Sequence, residues 1–286
     1  MYKTITVNDE TLKKMKNFYQ EKLVAKKIPY VLFQAKDEDV TITAYESKKV
    51  LFQGKNAEIE AKMWDTFKQD DLYYTSSIGS DEVGTGDYFG PIVVTACFVL
   101  KNDIKELEKL GVNDSKKITD EKILKIAPHL LKKLIYSSLI VTNEEYNKNY
   151  SKNFNLNKMK AILHNKVLVD ITKKVKDYDF IIVDKFAKES NYFKYLKETK
   201  TIVKDITFLE KAENKHLSVA ASSIISRYIF LKEIKKLSDK LKINLPLGAG
   251  NKVDKTAKML IDKYGEDILK SIAKYNFKNT KKIKVL

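Results

Sequence analysis

A chain of 286 residues, 43% hydrophobic and 32% charged, is long enough for one large domain or for a large and a small one, each with its own core. No apolar run approaches a membrane span, the start lacks a signal-peptide hydrophobic region, and a single cysteine, Cys97, rules out an internal disulfide or a cysteine-built zinc site; together these predict a cytoplasmic protein with no membrane partner. The net charge of +16 points to a polyanion, nucleic acid first, and nothing indicates an obligate protein partner.

Residues 1–70 carry little of that charge, with 13 lysines against 11 acids, whereas residues 240–286 hold 12 lysines and 4 acids. A lysine-rich stretch suits phosphate tracking because each neutralised phosphate releases counterions. The plainer alternative is a solvated face in a lysine-biased composition, since only Arg227 among 54 basic residues is arginine. Residues 9–26 show helical spacing at Leu12, Met15, Phe18 and Leu23. Tyr30 to Ala35, Val40 to Tyr45 and Val50 to Gln53 read as strands, with residues 46–49 turning between the last two. Ile59, Met63 and Phe67 recur at i, i+4 and i+8 and predict a helix with those residues as its apolar face. Residues 1–70 therefore read as a small α+β module, with polar Gln69-Asp70-Asp71 as the boundary to a second domain, 71–286.

Beyond residue 75 strands and helices alternate. A strand around Ile78 leads into a loop, Gly79 to Pro91, and a second apolar strand covers Ile92 to Leu100. Thr119-Asp120-Glu121 opens a helix, Leu134 to Val141 reads as a strand, and a long helix covers Leu156 to about Val175. Phe180 to Asp184 is a short buried strand ending in a carboxylate, and another long helix starts near Lys215. The pattern is α/β, a central sheet flanked by helices, with acids at strand C-termini where such sheets place their sites.

The Gly79–Pro91 loop holds adjacent acids, Asp81 and Glu82, among glycines. Neighbouring carboxylates repel, so a fold that gathers them calls for a cation, and glycines let backbone approach a ligand closely. Asp184 and Glu213 join them as candidates if their strands and helix meet at one point, with Ala220, Ala221, Ser222 and Ser223 allowing that helix to pack close. Two divalent ions would turn such a cluster into a hydrolytic site for phosphodiesters. From pattern alone, Asp184 reads more readily as a strand-end acid starting a turn than as a metal ligand, and Glu210 or Asp205 competes with Glu213. His129, His164 and His216 are scattered.

Gly-Ser-Asp-Glu-Val-Gly-Thr-Gly-Asp-Tyr-Phe-Gly-Pro, residues 79–91, resembles the opening motif of the type 2 ribonucleases H, and specifically of ribonuclease HIII. Asp114-Ser115-Lys116-Lys117, Phe180 to Asp184, the Ala-Ser-Ser-Ile-Ile helix and Leu245 to Asp254 extend the resemblance over nearly the whole chain. It implies a ribonuclease H-like mixed sheet preceded by a substrate-binding domain similar to the TATA-box-binding protein. It also implies Mg²⁺ or Mn²⁺ as two divalent ions on Asp81, Glu82, Asp184 and Glu213, the last standing where most relatives in the wider group carry aspartate. Gly84, Thr85 and Gly86 would then sense ribose 2′-hydroxyls, with Lys116 and Lys252 on phosphates. The implied activity is hydrolysis of the RNA strand of RNA–DNA hybrids, leaving 5′-phosphate and 3′-hydroxyl ends. Cleavage at single embedded ribonucleotides, as in ribonuclease HII, and non-catalytic nucleic-acid binding are the alternatives.

Overall fold

The computed structural model describes residues 1–24, 28–64, 73–112 and 118–283, and divides into two compact units. The first comprises Met1–Thr75 with the short segments Asp179–Ile181 and Lys204–Thr207; the second comprises Ser76–Tyr178, Ile182–Val203 and Phe208–Leu286. The boundary expected at Gln69-Asp70-Asp71 lies outside the described residues.

In the first unit, strand β1 (Tyr2–Thr6) precedes helix α1 (Asp9–Phe18), and strands β2 (Val31–Asp37), β3 (Val40–Tyr45) and β4 (Lys49–Gly54) precede helix α2 (Ala57–Trp64). The sheet order is β1-β4-β3-β2, antiparallel throughout. Asn8 caps α1 by accepting from the Thr11 N–H at 2.7 Å, and Leu12 and Met15 turn inward at the expected spacing. Three features differ from the sequence reading. The helical spacing expected over residues 9–26 holds only to Phe18, which is 58% exposed, and Leu23 lies past the helix, 39% exposed. Only Ile5 of the five residues of β1 is buried, so the strand carries no alternation by which to read it. Helix α2 buries Ala57 and Ala61, while Ile59 and Met63 are 71% and 52% exposed. The small side chains let the helix sit close to β1 and β4, which turns the larger residues outward. Phe67 lies outside the described residues.

The second unit opens with the antiparallel pair β5 (Ser77–Val83) and β6 (Ile92–Val99). There follow α3 (Ile104–Lys109), α4 (Asp120–Lys133), β7 (Ile135–Val141), α5 (Asn143–Asn149), α6 (Leu156–Lys174), β8 (Phe180–Asp184), α7 (Glu189–Tyr195) and β9 (Thr207–Leu209). Helices α8 (Leu217–Leu241), α9 (Asn251–Tyr264), α10 (Ile268–Ile272) and α11 (Lys278–Ile283) complete it. The mixed sheet has the order β7-β6-β5-β8-β9 and is flanked by helices. Strand β6 is buried along its whole length, as a strand covered on both faces must be.

Two seams position the strand that carries the acids. A Cβ on Gly79 would fall 2.2 Å from the Val219 amide nitrogen, so glycine sets how closely α8 approaches β5. Ser222 donates to the Gly79 carbonyl at 2.9 Å, and the Ser77 and Ser218 hydroxyls meet at 2.9 Å. One residue along, Ser80 points to the other face and meets His164 of α6. No helix among the described residues is long and apolar enough to cross a membrane.

Candidate active site

Asp81 and Glu82 are consecutive on β5, and the pleat sends their side chains to opposite faces of the sheet. Asp81 shares the face of Gly79 and meets α8, where the Ser223 hydroxyl bonds to its carboxylate. Burial, and then the neighbouring Glu82 charge, push the Asp81 carboxyl up to about 8; Asp184 adds to the rise and Ser223 opposes it.

Glu82 faces α6, where Lys160 and His164 stand one turn apart and take one carboxylate oxygen each. Lys160 Nζ pairs with Oε1, and His164 Nε2 lies 2.8 Å from Oε2. His164 is fully buried, with Nδ1 2.8 Å from Ser80 Oγ, and the Ser80 hydroxyl donates to the Thr95 carbonyl at 3.0 Å. With that proton committed, Ser80 Oγ accepts from Nδ1–H, and Nε2 donates to Glu82 when the ring is protonated. Phe186 stacks on His164 with centroids 5.4 Å apart, and the Lys160 ammonium lies 4.1 Å from the same ring. Burial works to raise the Glu82 carboxyl, but His164 and Lys160 outweigh it and hold the group below the ordinary carboxylate range.

Asp184 ends β8, the neighbour of β5, and its Oδ1 accepts from the Ala212 N–H at 2.9 Å. That bond fixes the turn Ala212–Asn214, entered through Lys211 at φ 55°, and the turn carries Glu213, which is buried. Burial raises the Asp184 carboxyl; the charges of Glu213 and Glu82 add to this, while the Ala212 amide and Lys160 oppose it. The competing acids lie elsewhere. Glu210 is exposed and pairs with Lys185 at 3.1 Å, and Asp205 sits in the field of Lys48, Asp9 and Glu46.

Through these interactions the four acids share one electrostatic field, yet among the described residues no three His, Cys, Asp or Glu side chains are grouped to hold a metal ion. Glu82 is turned toward Lys160 and His164 instead. The donor chemistry still suits a hard divalent cation: the donors are carboxylate oxygens, and a cation would reverse the upward shift of Asp81 and Asp184.

Past β5 the chain turns at Gly84, at φ 94°, where a Cβ would fall 2.2 Å from the Pro91 carbonyl oxygen. Gly84, Thr85, Gly86 and Asp87 line a cavity of about 410 Å³ together with Glu82, Asp120, Ser223 and Arg227. Arg227 makes a two-pronged bond to Asp120, at 2.8 and 2.9 Å. Behind the loop, fully buried Lys274 donates to the Asp87 and Gly90 carbonyls at 2.8 and 2.7 Å. Burial pushes its ammonium down to about 7, with Asp87 resisting. Gly248 donates its N–H to Asp87 Oδ1 at 2.6 Å and accepts from the Tyr88 N–H at 2.8 Å.

Lys252 is exposed in the first turn of α9 and does not line the cavity. Asp114 and Lys116 lie outside the described residues. Of the three histidines, His129 is exposed and His216 is buried at the start of α8, where burial drives it down to about 4; His164 alone joins the cluster. Sequence reasoning does not reach Lys160, Arg227 or Lys274 as site residues. The i, i+4 spacing of Lys160 and His164 and the uniqueness of Arg227 are visible in the chain, but the register of α6 against β5 is not.

Residues 78–280 match the family model for Ribonuclease HII, and residues 3–77 match Domain of unknown function (DUF3378). The chain is 43% identical to Ribonuclease HIII of Phytoplasma mali over 98% of its own length and 97% of that protein. It is 44% identical to Ribonuclease HIII of Bacillus pumilus, over the same shares. A crystal structure of Bst-RNase HIII in complex with Mn²⁺ superposes with a TM-score of 0.74 at 40% identity, covering 100% of this chain and 98% of that one.

Proposed function

The chain belongs to the ribonuclease HIII family, and from that premise we propose that it hydrolyses the RNA strand of RNA–DNA hybrids at Asp81, Glu82, Asp184 and Glu213, with two divalent ions, Mg²⁺ or Mn²⁺. The observation that carries this reading is that burial raises Asp81 and Asp184 and the acids around them add to it, Glu82 and Asp184 acting on Asp81 and Glu213 and Glu82 on Asp184, beside a cavity lined by Glu82 and the glycine loop. Bound divalent ions would supply Lewis acidity, making water a better nucleophile and stabilising the oxygen that leaves. Water adds to phosphorus, the bond from phosphorus to the 3′ oxygen breaks, and that oxygen takes up a proton, giving 5′-phosphate and 3′-hydroxyl ends.

The chain's own groups have separable tasks. Asp184 holds the turn that delivers Glu213 through the Ala212 amide. Gly84, Thr85 and Gly86 expose backbone donors and acceptors to the 2′-hydroxyls that distinguish RNA from DNA. Lys252, which does not line the cavity, contacts a phosphate of the substrate, and Lys116 contacts another. Residues 1–70 form a substrate-binding domain similar to the TATA-box-binding protein and act by shape, since their net charge is near neutral. The enzyme works in the cytoplasm.

The test is incubation of labelled RNA–DNA hybrid, double-stranded RNA, double-stranded DNA and a duplex with one embedded ribonucleotide, each with and without Mg²⁺. Metal-dependent cutting of the hybrid alone is expected, with poor cutting at the single ribonucleotide. Comparable rates on those two substrates would favour a ribonuclease HII specificity, and cleavage without added metal after chelation would remove the metal reading.

A further inference from the structure

Resting on the reading of Glu82 as a metal ligand, we propose that Lys160 is a resident counter-cation that competes with divalent metal for the acid cluster. Lys160 is 9% exposed, an unusual burial for an ammonium that solvent would otherwise hydrate. Its place is set by charge: Nζ pairs with Glu82 Oε1, and the same charge opposes the rise that burial and the neighbouring acids impose on Asp184, so the ammonium acts on acids of two neighbouring strands at once. A divalent ion shared by Glu82 and Asp184 would act on the same two groups. With His164 on Oε2, both Glu82 oxygens already have a cationic or donor partner.

This arrangement has two consequences. Glu82 remains paired and ordered without metal, because Lys160 supplies a positive charge beside it. An entering ion also meets that charge, so the cluster binds metal more weakly than its carboxylates alone would allow. Phosphates of the substrate would then tip the balance, and full metal loading would accompany hybrid binding. Phe186 gives the ammonium a second favourable surface at 4.1 Å from the ring centroid, to which it can hold while Glu82 turns toward metal.

The experiment compares wild-type protein with Lys160→Met and Lys160→Gln, without nucleic acid. It follows free Mn²⁺ by electron paramagnetic resonance and records melting temperature with and without Mn²⁺. Removing the charge should tighten Mn²⁺ binding roughly tenfold, the scale of one unit charge beside a divalent ion in a screened site. The metal-free melting temperature should fall, and the rise on adding Mn²⁺ should exceed that of wild type. Lys160→Gln can still donate to Glu82 and protects the test against a folding failure; it must show the same tightening. A lysine with only a packing role would lower both melting temperatures equally and leave Mn²⁺ affinity unchanged, which would overturn the proposal. A wild-type protein that neither binds Mn²⁺ nor gains stability from it would instead overturn the metal reading of the four acids, and this inference with it.

Discussion

Glu82 Oε2 lies 2.8 Å from His164 Nε2, on the face of β5 opposite to that of Asp81. Adjacent in sequence, the two acids have different partners: Asp81 meets Ser223 on α8, and Glu82 meets Lys160 and His164 on α6. Their environments push them apart. Asp81 rises to about 8 while Glu82 falls below the usual range, so near neutral pH one holds a proton and the other a charge.

Asp81→Asn mimics the protonated carboxyl, and its effect on stability depends on pH. The folded group titrates near 8 and the unfolded one near 4, so between about pH 4 and 8 the folded chain holds a proton that the unfolded chain lacks. Metal-free stability should therefore fall as pH rises through that window, by up to about 1.4 kcal/mol per unit from this group, and level off above 8. Urea melts at pH 5, 7 and 9 should show that slope reduced in Asp81→Asn. The variant should also bind hybrid while cutting at a small fraction of the wild-type rate. An unchanged slope would mean that Asp81 is ionised throughout.

Glu213→Gln should cut kcat severely, whereas Glu210→Gln should leave it within about twofold. Glu213 is buried and raises Asp184, while Glu210 is exposed and bonded to Lys185. Water and salt screen an exposed ion pair, so losing the Glu210 pair should be silent in steady-state kinetics on hybrid. The reverse ranking would reassign the fourth acid.

The sheet, the long helices and the strand-end position of Asp184 were legible because burial leaves a periodic signal: β6 is apolar throughout, and Asp184 follows four buried residues. Helix α2 was legible as a helix, but its buried face was not. Close packing selected Ala57 and Ala61, and an apolar-periodicity argument weights Ile59 and Met63 instead. The partners of Glu82 were hidden for another reason. Lys160 and His164 lie some eighty residues away, and only tertiary register brings a buried lysine to a carboxylate.

Basic residues near the C-terminus divide into two kinds. Lys282 bonds to Asp254 at 2.6 Å and to Asn251 at 3.0 Å, tying α11 to α9, so it is engaged within the fold. Lys252 and Lys281 are exposed. Lys252→Ala with Lys281→Ala should reduce the log–log salt slope of hybrid binding by about 1–2. Lys282→Ala should leave that slope nearly intact and lower the melting temperature instead. Fluorescence anisotropy between 50 and 200 mM salt, an interval in which phosphate contacts change affinity by orders of magnitude, separates them.

Lys274→Met should loosen the glycine loop without touching the four acids. The buried ammonium donates to both Asp87 and Gly90 carbonyls; Gly90 keeps a donor in Asn143 at 2.9 Å, but Asp87 loses one. An unsatisfied buried carbonyl costs about 1–3 kcal/mol, so the variant should be less stable at neutral pH. The sign of its pH dependence follows from the depressed value. Lys274 titrates near 7 when folded and near 10.4 when unfolded. Across that window the unfolded chain holds a proton that the folded chain lacks, so this group makes stability rise with pH; below 7 both states are charged and its contribution is flat. Stability measured from pH 6 to 10 should therefore climb less in Lys274→Met than in wild type. On hybrid, KM should rise roughly fivefold, about 1 kcal/mol of lost binding, with kcat changed far less, if Gly84 to Gly86 position substrate and the acids perform the chemistry as proposed. A fall in kcat at constant KM would place Lys274 behind the acid cluster rather than behind the loop.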